Sequence, residues 1–197
     1  MVKQNVCKIC RREGKKLFLK GERCLTSKCP FVRRSYAPGQ HGSRRRKPSD
    51  FAVQLREKQK VRKTYGLYET QFKNYYTKAS RAEGDTAEIM LSSLERRLDN
   101  VVYRVGLSSS KKMARQIITH GHVLVNGKKI TKPMYSVEPK DKIESNFKNQ
   151  IKTKPEFLPL WIKLQTDKKS CIILHLPTKD EMAADFDMAQ IIEYYSK

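Results

Sequence analysis

Four of the five cysteines stand within the first 29 residues, as two close pairs, and nothing else narrows the possible folds of that segment as much. Cys7-Lys8-Ile9-Cys10 is a Cys-x-x-Cys knuckle, and 13 residues separate it from Cys24-Leu25-Thr26-Ser27-Lys28-Cys29. Each pair can present two thiolates from one tight turn, and the intervening loop lets the four sulfurs converge on a tetrahedral ion. Cys7, Cys10, Cys24 and Cys29 are therefore the expected ligands of one structural Zn2+. The surrounding Lys and Arg favour the thiolate forms and offset the charge of about −2 of zinc with four thiolates. Three rival readings use the same residues. Disulfides are disfavoured because nothing points to secretion; an iron–sulfur cluster takes the same ligands, which the spacing leaves open; free thiols are the third. Cys171, within Cys171-Ile172-Ile173-Leu174, reads as a buried core thiol. Gly14, Gly21, Pro30, Pro38, Gly39, Gly42 and Pro48 break residues 1–48 repeatedly, so a loop-rich segment organised by metal is expected there.

Charge sets the partner. Lys plus Arg number 42 against 20 Asp plus Glu, a formal net charge of +22 over 197 residues. A small soluble domain usually carries a magnitude of about 2–8, and a chain this basic repels itself unless an anion neutralises it. Residues 1–50 carry a net +12, 51–100 a net +3, 101–150 a net +7 and 151–197 none. Two basic regions and a neutral tail suit a polyanion that touches the first and the third, and nucleic acid is the expected one. The length fits one large domain or two small ones. No run of about 18 apolar residues exists, so no transmembrane helix is expected. Met1-Val2-Lys3-Gln4-Asn5 leads into no apolar run, so no secretory signal is expected either.

Periodicity and caps give the elements. Ser49 or Asp50 caps a helix over 50–65 that Gly66 ends, with Arg56, Lys60 and Lys63 at i, i+4 and i+7. A second helix covers about 69–82, with Phe72, Tyr75, Tyr76 and Ala79 on one face. A third is expected as one piece from 86 to 105, where Asp85 and Glu88 suit a capping box. Leu91, Leu94, Leu98, Val101, Val102 and Val105 make its apolar stripe and Arg97, Asn100 and Arg104 another face. Ser110 caps a shorter helix over 111–120. Asn126-Gly127 between Val123-Leu124-Val125 and Lys128-Lys129-Ile130 is a hairpin signal. Further strands are expected at 135–137, 142–145, 161–165 and 171–176, a polar linker at 146–155, and a short helix ending in Ile191-Ile192-Glu193-Tyr194-Tyr195.

These residues resemble a known family, that of the bacterial-type small-subunit ribosomal protein S-four, over nearly the whole chain. Arg97-Leu98-Asp99-Asn100-Val101-Val102-Tyr103-Arg104 is similar to the signature helix of its RNA-binding module. Ala114-Arg115-Gln116, His120-Gly121-His122 and Val125-Asn126-Gly127 follow at family-like spacing. Pro38-Gly39-Gln40-His41-Gly42, the run from Gln54 to Arg62, Leu176-Pro177-Thr178 and Glu193-Tyr194-Tyr195-Ser196-Lys197 resemble the ribosomal protein itself. Met113 stands where the family often has Glu, and Met182–Met188 departs from the family pattern. The resemblance implies an α+β fold: a zinc-bearing, mainly helical body of residues 1–93 plus 147–197, with an S-four-type RNA-binding module at 94–146 inserted in it. It implies binding to 16S-type rRNA early in assembly, a cytoplasmic place in the small subunit beside the S-five protein, and proximity to the channel by which messenger RNA enters. Some relatives bind zinc through four such cysteines, and some repress their own messenger.

No catalysis is needed for such a role. Lys and Arg neutralise phosphates while the helices fit folded RNA. The expected contacts are the loop Arg44, Arg45, Arg46 and Lys47, the helix face Arg56, Lys60 and Lys63, and the module residues Arg97, Asn100, Tyr103, Arg104, Lys111, Lys112, Arg115, His120 and His122. Arg97 and Arg104 have a second reading, as partners of acids within the fold. An RNA-modifying enzyme is the next hypothesis, since the same module is appended to pseudouridine synthases and to a tRNA synthetase class. Arg97-Leu98-Asp99 mimics part of a synthase motif, but the following Thr/Ser-Gly stretch is absent and no catalytic domain remains. A zinc-dependent DNA regulator is the third, and no helix follows the cysteines as a major-groove reader would need. No membrane and no small-molecule substrate is expected.

Overall fold

Ser49 holds an extended backbone (φ −71°, ψ 160°) while its hydroxyl accepts the Ala52 N–H at 3.3 Å, and this cap starts the helix Asp50–Thr64. The computed structural model describes residues 5–43, 47–146, 158–165, 170–182 and 186–196. The chain divides into two units, residues 1–80 with 184–197, and residues 81–183.

In the first unit, Asn5 caps α1 (Val6–Glu13) by accepting the Cys7 N–H, and Gly14 at φ 67° ends it. The expected Cys-x-x-Cys turn is thus a helix: Cys7 and Cys10 sit three residues apart on one face of α1. A 3-10 turn (Gly21–Cys24) and the short α2 (Pro30–Arg33) carry Cys24 and Cys29. Then follow α3 (Asp50–Thr64), α4 (Glu69–Ser80) and, after the second unit, α8 (Met188–Ser196). Helix α8 lies along α3, with Val61, Phe72, Ala79 and Ile191 fully or almost fully buried. Tyr195 stacks on Tyr76 with ring centroids 4.7 Å apart, and its hydroxyl donates to Glu69 Oε1 at 3.1 Å. The same carboxylate takes the Lys58 ammonium at 2.5 Å, which also stands 4.3 Å over the Tyr194 ring.

The second unit holds α5 (Thr86–Glu95), α6 (Leu98–Arg104), α7 (Lys111–Thr119) and the strands β1 (Val123–Val125), β2 (Lys128–Lys129), β3 (Lys142–Ser145), β4 (Ile162–Leu164) and β5 (Ser170–Ile173). Asp85 caps α5 through the Ala87 N–H at 2.9 Å. Ser110 caps α7 through Met113. The single helix expected over 86–105 is broken at Arg97, which is extended (φ −65°, ψ 134°). A competing strand-like pairing takes the backbone there: Arg97 bridges Ser136, Leu98 N–H donates to Tyr135 O at 2.8 Å, and Val137 N–H donates to Arg96 O at 2.9 Å. Residues 135–137 make only this bridge, not the expected strand. The hairpin is as expected, with Asn126 at φ 50° and Gly127 at φ 76°, the pair of positive values a type I′ turn requires.

All five strands form one antiparallel sheet of order β2-β1-β3-β5-β4. The second compact unit is therefore wider than the expected module. Strands β4 and β5, assigned from sequence to the helical body, extend the module's sheet beyond β3, through pairs such as Ile143 with Cys171. Helix α5 likewise belongs to the second unit, so that unit exceeds the expected 94–146 on both sides. Leu98, Val101, Val105, Ile118, Ile143 and Trp161 centre its core. Cys171 is fully buried there, and burial pushes its thiol up to about 12. Among the described residues no helix is long and apolar enough to cross a membrane. Apart from Asn146, the expected linker and its neighbours at 147–157 lie outside the described residues.

Candidate nucleic-acid interface

Within the first unit the four N-terminal cysteines line one small cavity of about 10 Å³ with Val6, Leu19, Lys20 and Phe31. The Lys20 N–H donates to Cys24 Sγ at 3.4 Å. Burial pushes the Cys10 thiol up, and Cys24, Cys7 and Cys29 each add to the rise, against a backbone hydrogen bond from Leu17 that lowers it. A divalent cation at this place would reverse that mutual repulsion. Among the described residues, however, no group of three or more His, Cys, Asp or Glu is arranged to hold a metal ion. The four thiols are a donor set that zinc takes, and the sulfurs would have to draw together to bind it.

Helix α3 sets Arg56, Lys60 and Lys63 along one side, half-buried rather than extended into solvent. Arg56 Nη1 lies 3.3 Å from both oxygens of the buried Glu13. Lys60 pairs with Glu57 at 2.5 Å. Burial lowers the Lys63 ammonium, with Arg62 adding to the effect and Glu13 and Glu69 opposing it. Lys47 is exposed, while Arg44, Arg45 and Arg46 lie outside the described residues.

Within the second unit the arginines divide. Arg97 is 1% exposed and forks onto Asp99, Nε to Oδ1 at 3.0 Å and Nη2 to Oδ2 at 2.8 Å. Asn100, equally buried, donates to Glu95 O and Oε2 at 3.0 and 2.7 Å. Arg104 forks onto the same Glu95 at 2.6 and 2.5 Å. Burial lowers the Lys111 ammonium to about 8, the Glu95 carboxylate pulls it back up and Arg104 pushes it down. Its Nζ stands 5.7 Å from the ring centre of the half-buried Tyr103. The module's outer surface is instead made by Lys112 and the half-buried Arg115 on α7, exposed His120 and half-buried His122 with rings 6.2 Å apart, and exposed Lys128 and Lys129 on the hairpin.

This basic, two-unit chain is similar along its length to the small ribosomal subunit protein uS4 of Clostridium beijerinckii, 48% identical over 198 residues spanning 97% of this chain and 96% of the relative. The chain belongs to the uS4 family. The Clostridioides difficile uS4 is 47% identical over 97% of this chain and 96% of its own length, and the uS4A of Symbiobacterium thermophilum 44% over 98% and 97%. The family model described as ribosomal protein S4/S9 N-terminal domain matches residues 1–95, and the S4 domain model matches 96–143. Their junction falls where α5 ends and the backbone turns extended.

For this uS4-family chain the composite RNA surface read from sequence needs correction. Arg97 and Asn100 are not surface residues: once the helix breaks, both turn into the fold and satisfy buried acids. Arg104 forks onto Glu95, which leaves its side chain only 25% exposed, and the charge of the same carboxylate acts on Lys111. Lys112, Arg115 and the two histidines keep places from which RNA can be reached. Sequence reasoning passed over Lys8, Arg12 and Arg62, which join Arg56 and Lys63 around one cleft of the first unit. The signal was present: Lys8 and Arg12 are spaced i, i+4, but in a segment read as loop. Lys128 and Lys129 were seen only as hairpin residues.

Proposed function

We propose that this chain is a non-catalytic structural constituent of the small ribosomal subunit and binds its 16S-type rRNA. The full-length likeness to uS4 proteins carries this reading. The net charge of +22 and the basic surfaces of both units supply the phosphate-neutralising chemistry it needs. Filter binding of the purified chain to 16S rRNA, 23S rRNA and duplex DNA tests it. Preference for 16S rRNA is expected, with no modified nucleosides after incubation; equal affinity for all three sinks the reading.

Finer parts of the role follow from the same proposal. The chain binds rRNA early, helps nucleate assembly and neighbours the S-five protein; the resemblance noted in the sequence supports this. Arg44, Arg45, Arg46 and Lys47 act on messenger RNA where it enters, supported by four consecutive cations in a breaker-rich segment. Replacing all four with Ala should slow translation through structured messengers more than through unstructured ones. Cys7, Cys10, Cys24 and Cys29 hold one Zn2+, supported by their shared cavity and by the donor chemistry. Bound there, zinc would supply a structural crosslink between α1, the 3-10 turn and α2. Elemental analysis should find about one zinc per chain, and Cys24→Ser should release it. A zinc-free purified protein with an ordered N-terminal region speaks against it.

A further inference from the structure

Between α1, the turn at Pro38 and α3, the first unit has an open cleft of about 550 Å³. Five cations line it, Lys8 and Arg12 from α1 and Arg56, Arg62 and Lys63 from α3, and Glu13 is the one acid among the lining residues. Glu13 is well placed to be an internal counter-ion and a poor one. Its side chain is 4% exposed, and Arg56 reaches its two oxygens with a single nitrogen at 3.3 Å each, not with a fork. Glu69 pairs with Arg62 at 3.4 Å and raises Lys63 by less than burial lowers it. Burial raises the Glu13 carboxylate despite Arg56 and Lys63, and lowers the Lys63 ammonium with help from Arg62. Both shifts describe charge that burial penalises and neighbours do not fully compensate. The cleft is also larger than a phosphate needs, with room for the attached sugar or base.

We propose that this cleft seats a phosphate group of a nucleotide, with Glu13 on its inner wall partly neutralising the cations until the phosphate arrives. The inference rests on the rRNA-binding reading and names where one phosphate goes. The phosphate comes either from the RNA backbone, as a monoanionic diester, or from a free nucleotide, whose terminal phosphate carries up to two charges, and both present anionic oxygens to Lys8, Arg12, Arg56 and Lys63.

The test uses the full chain and three variants. Lys8→Ala/Arg12→Ala removes two exposed cations of the cleft. Lys73→Ala/Lys78→Ala removes two exposed cations of α4 as a charge-matched control. Glu13→Gln removes the internal competitor. Binding of 16S rRNA is measured across a salt series, ATP binding by isothermal titration, and melting for every variant. The cleft double variant should lose about tenfold or more in rRNA affinity and flatten the log K against log salt slope by about one to two, with melting unchanged and the control affected much less. Folded Glu13→Gln should bind more tightly than the parent; if it does not fold, the double variant decides. Saturable ATP binding that the double variant loses assigns the seat to free nucleotides as well, and no ATP binding assigns it to the RNA backbone. Equal losses in cleft and control variants, or none in either, overturn the proposal. Failure of the parent to prefer 16S rRNA would instead overturn the reading beneath it.

Discussion

Arg97 and Arg115 stand eighteen residues apart in the sequence, yet the fold gives them opposite tasks: one is sealed against Asp99, the other stands on α7 at the basic surface. Asp99→Ala strands a buried guanidinium and should cost about 3–5 kcal/mol of stability, read by denaturant unfolding. Arg115→Ala with Lys112→Ala should leave melting nearly unchanged and weaken rRNA binding, with a salt slope smaller by roughly one to two. Lys111 adds a pH signature. Burial takes its amine from an ordinary 10.5 down to about 8. Between those values the unfolded chain holds the proton and the folded chain does not, so its contribution is least favourable below 8 and improves as pH rises. Over roughly pH 7.5–9, below the range where the raised Cys171 thiol acts oppositely, the parent should gain stability relative to Lys111→Met. A flat difference between the two melting curves would remove that role. Residue types were legible in the sequence; partners were not, because Asp99 and Glu95 are chosen by a backbone break that no side-chain pattern marks.

At the scale of elements, caps and turns were the legible part. Ser49, Asp85 and Ser110 start the helices they were expected to start, and Asn126-Gly127 makes the hairpin. These signals are local, so the sequence contains them whole. The break at Arg97 escaped because Leu94 and Leu98 are both fully buried. Two successive helices that face one core repeat apolar residues at the same spacing as one long helix. The partners of β4 and β5 escaped because register across a long connection is set by tertiary packing. Gly127 offers a clean test of the hairpin. A Cβ there would meet nothing within 4 Å, so Gly127→Ala should cost only the backbone term, about 1–2 kcal/mol, seen as a melting point lower by several degrees. Gly42 should behave differently: its Cβ would run into the Ala37 carbonyl oxygen. Gly42→Ala must therefore displace that turn, which protease sensitivity around residues 37–42 would report.

For the molecule as a whole, charge distribution was legible and the ownership of the tail was not. Residues 151–197, with no net charge, supply two strands to the second unit's sheet and one helix to the first unit, so their balance of charge matches an architectural task. Should about eight phosphates be contacted, log K for 16S rRNA should fall against log salt with a slope of roughly −6 to −7; a slope near zero would detach the charge from the interface. The first unit is assembled from two pieces of chain with the 103 residues 81–183 between them. At about 5–20 residues per second, a growing chain therefore spends roughly 5–20 s with Val61 and Phe72 laid bare before α8 can cover them. A nascent chain that stalls after residue 183 but before α8 carries a complete second unit and an unfinished first one. The fold around α3 thus closes only once the helix Met188–Ser196 has been made and has docked.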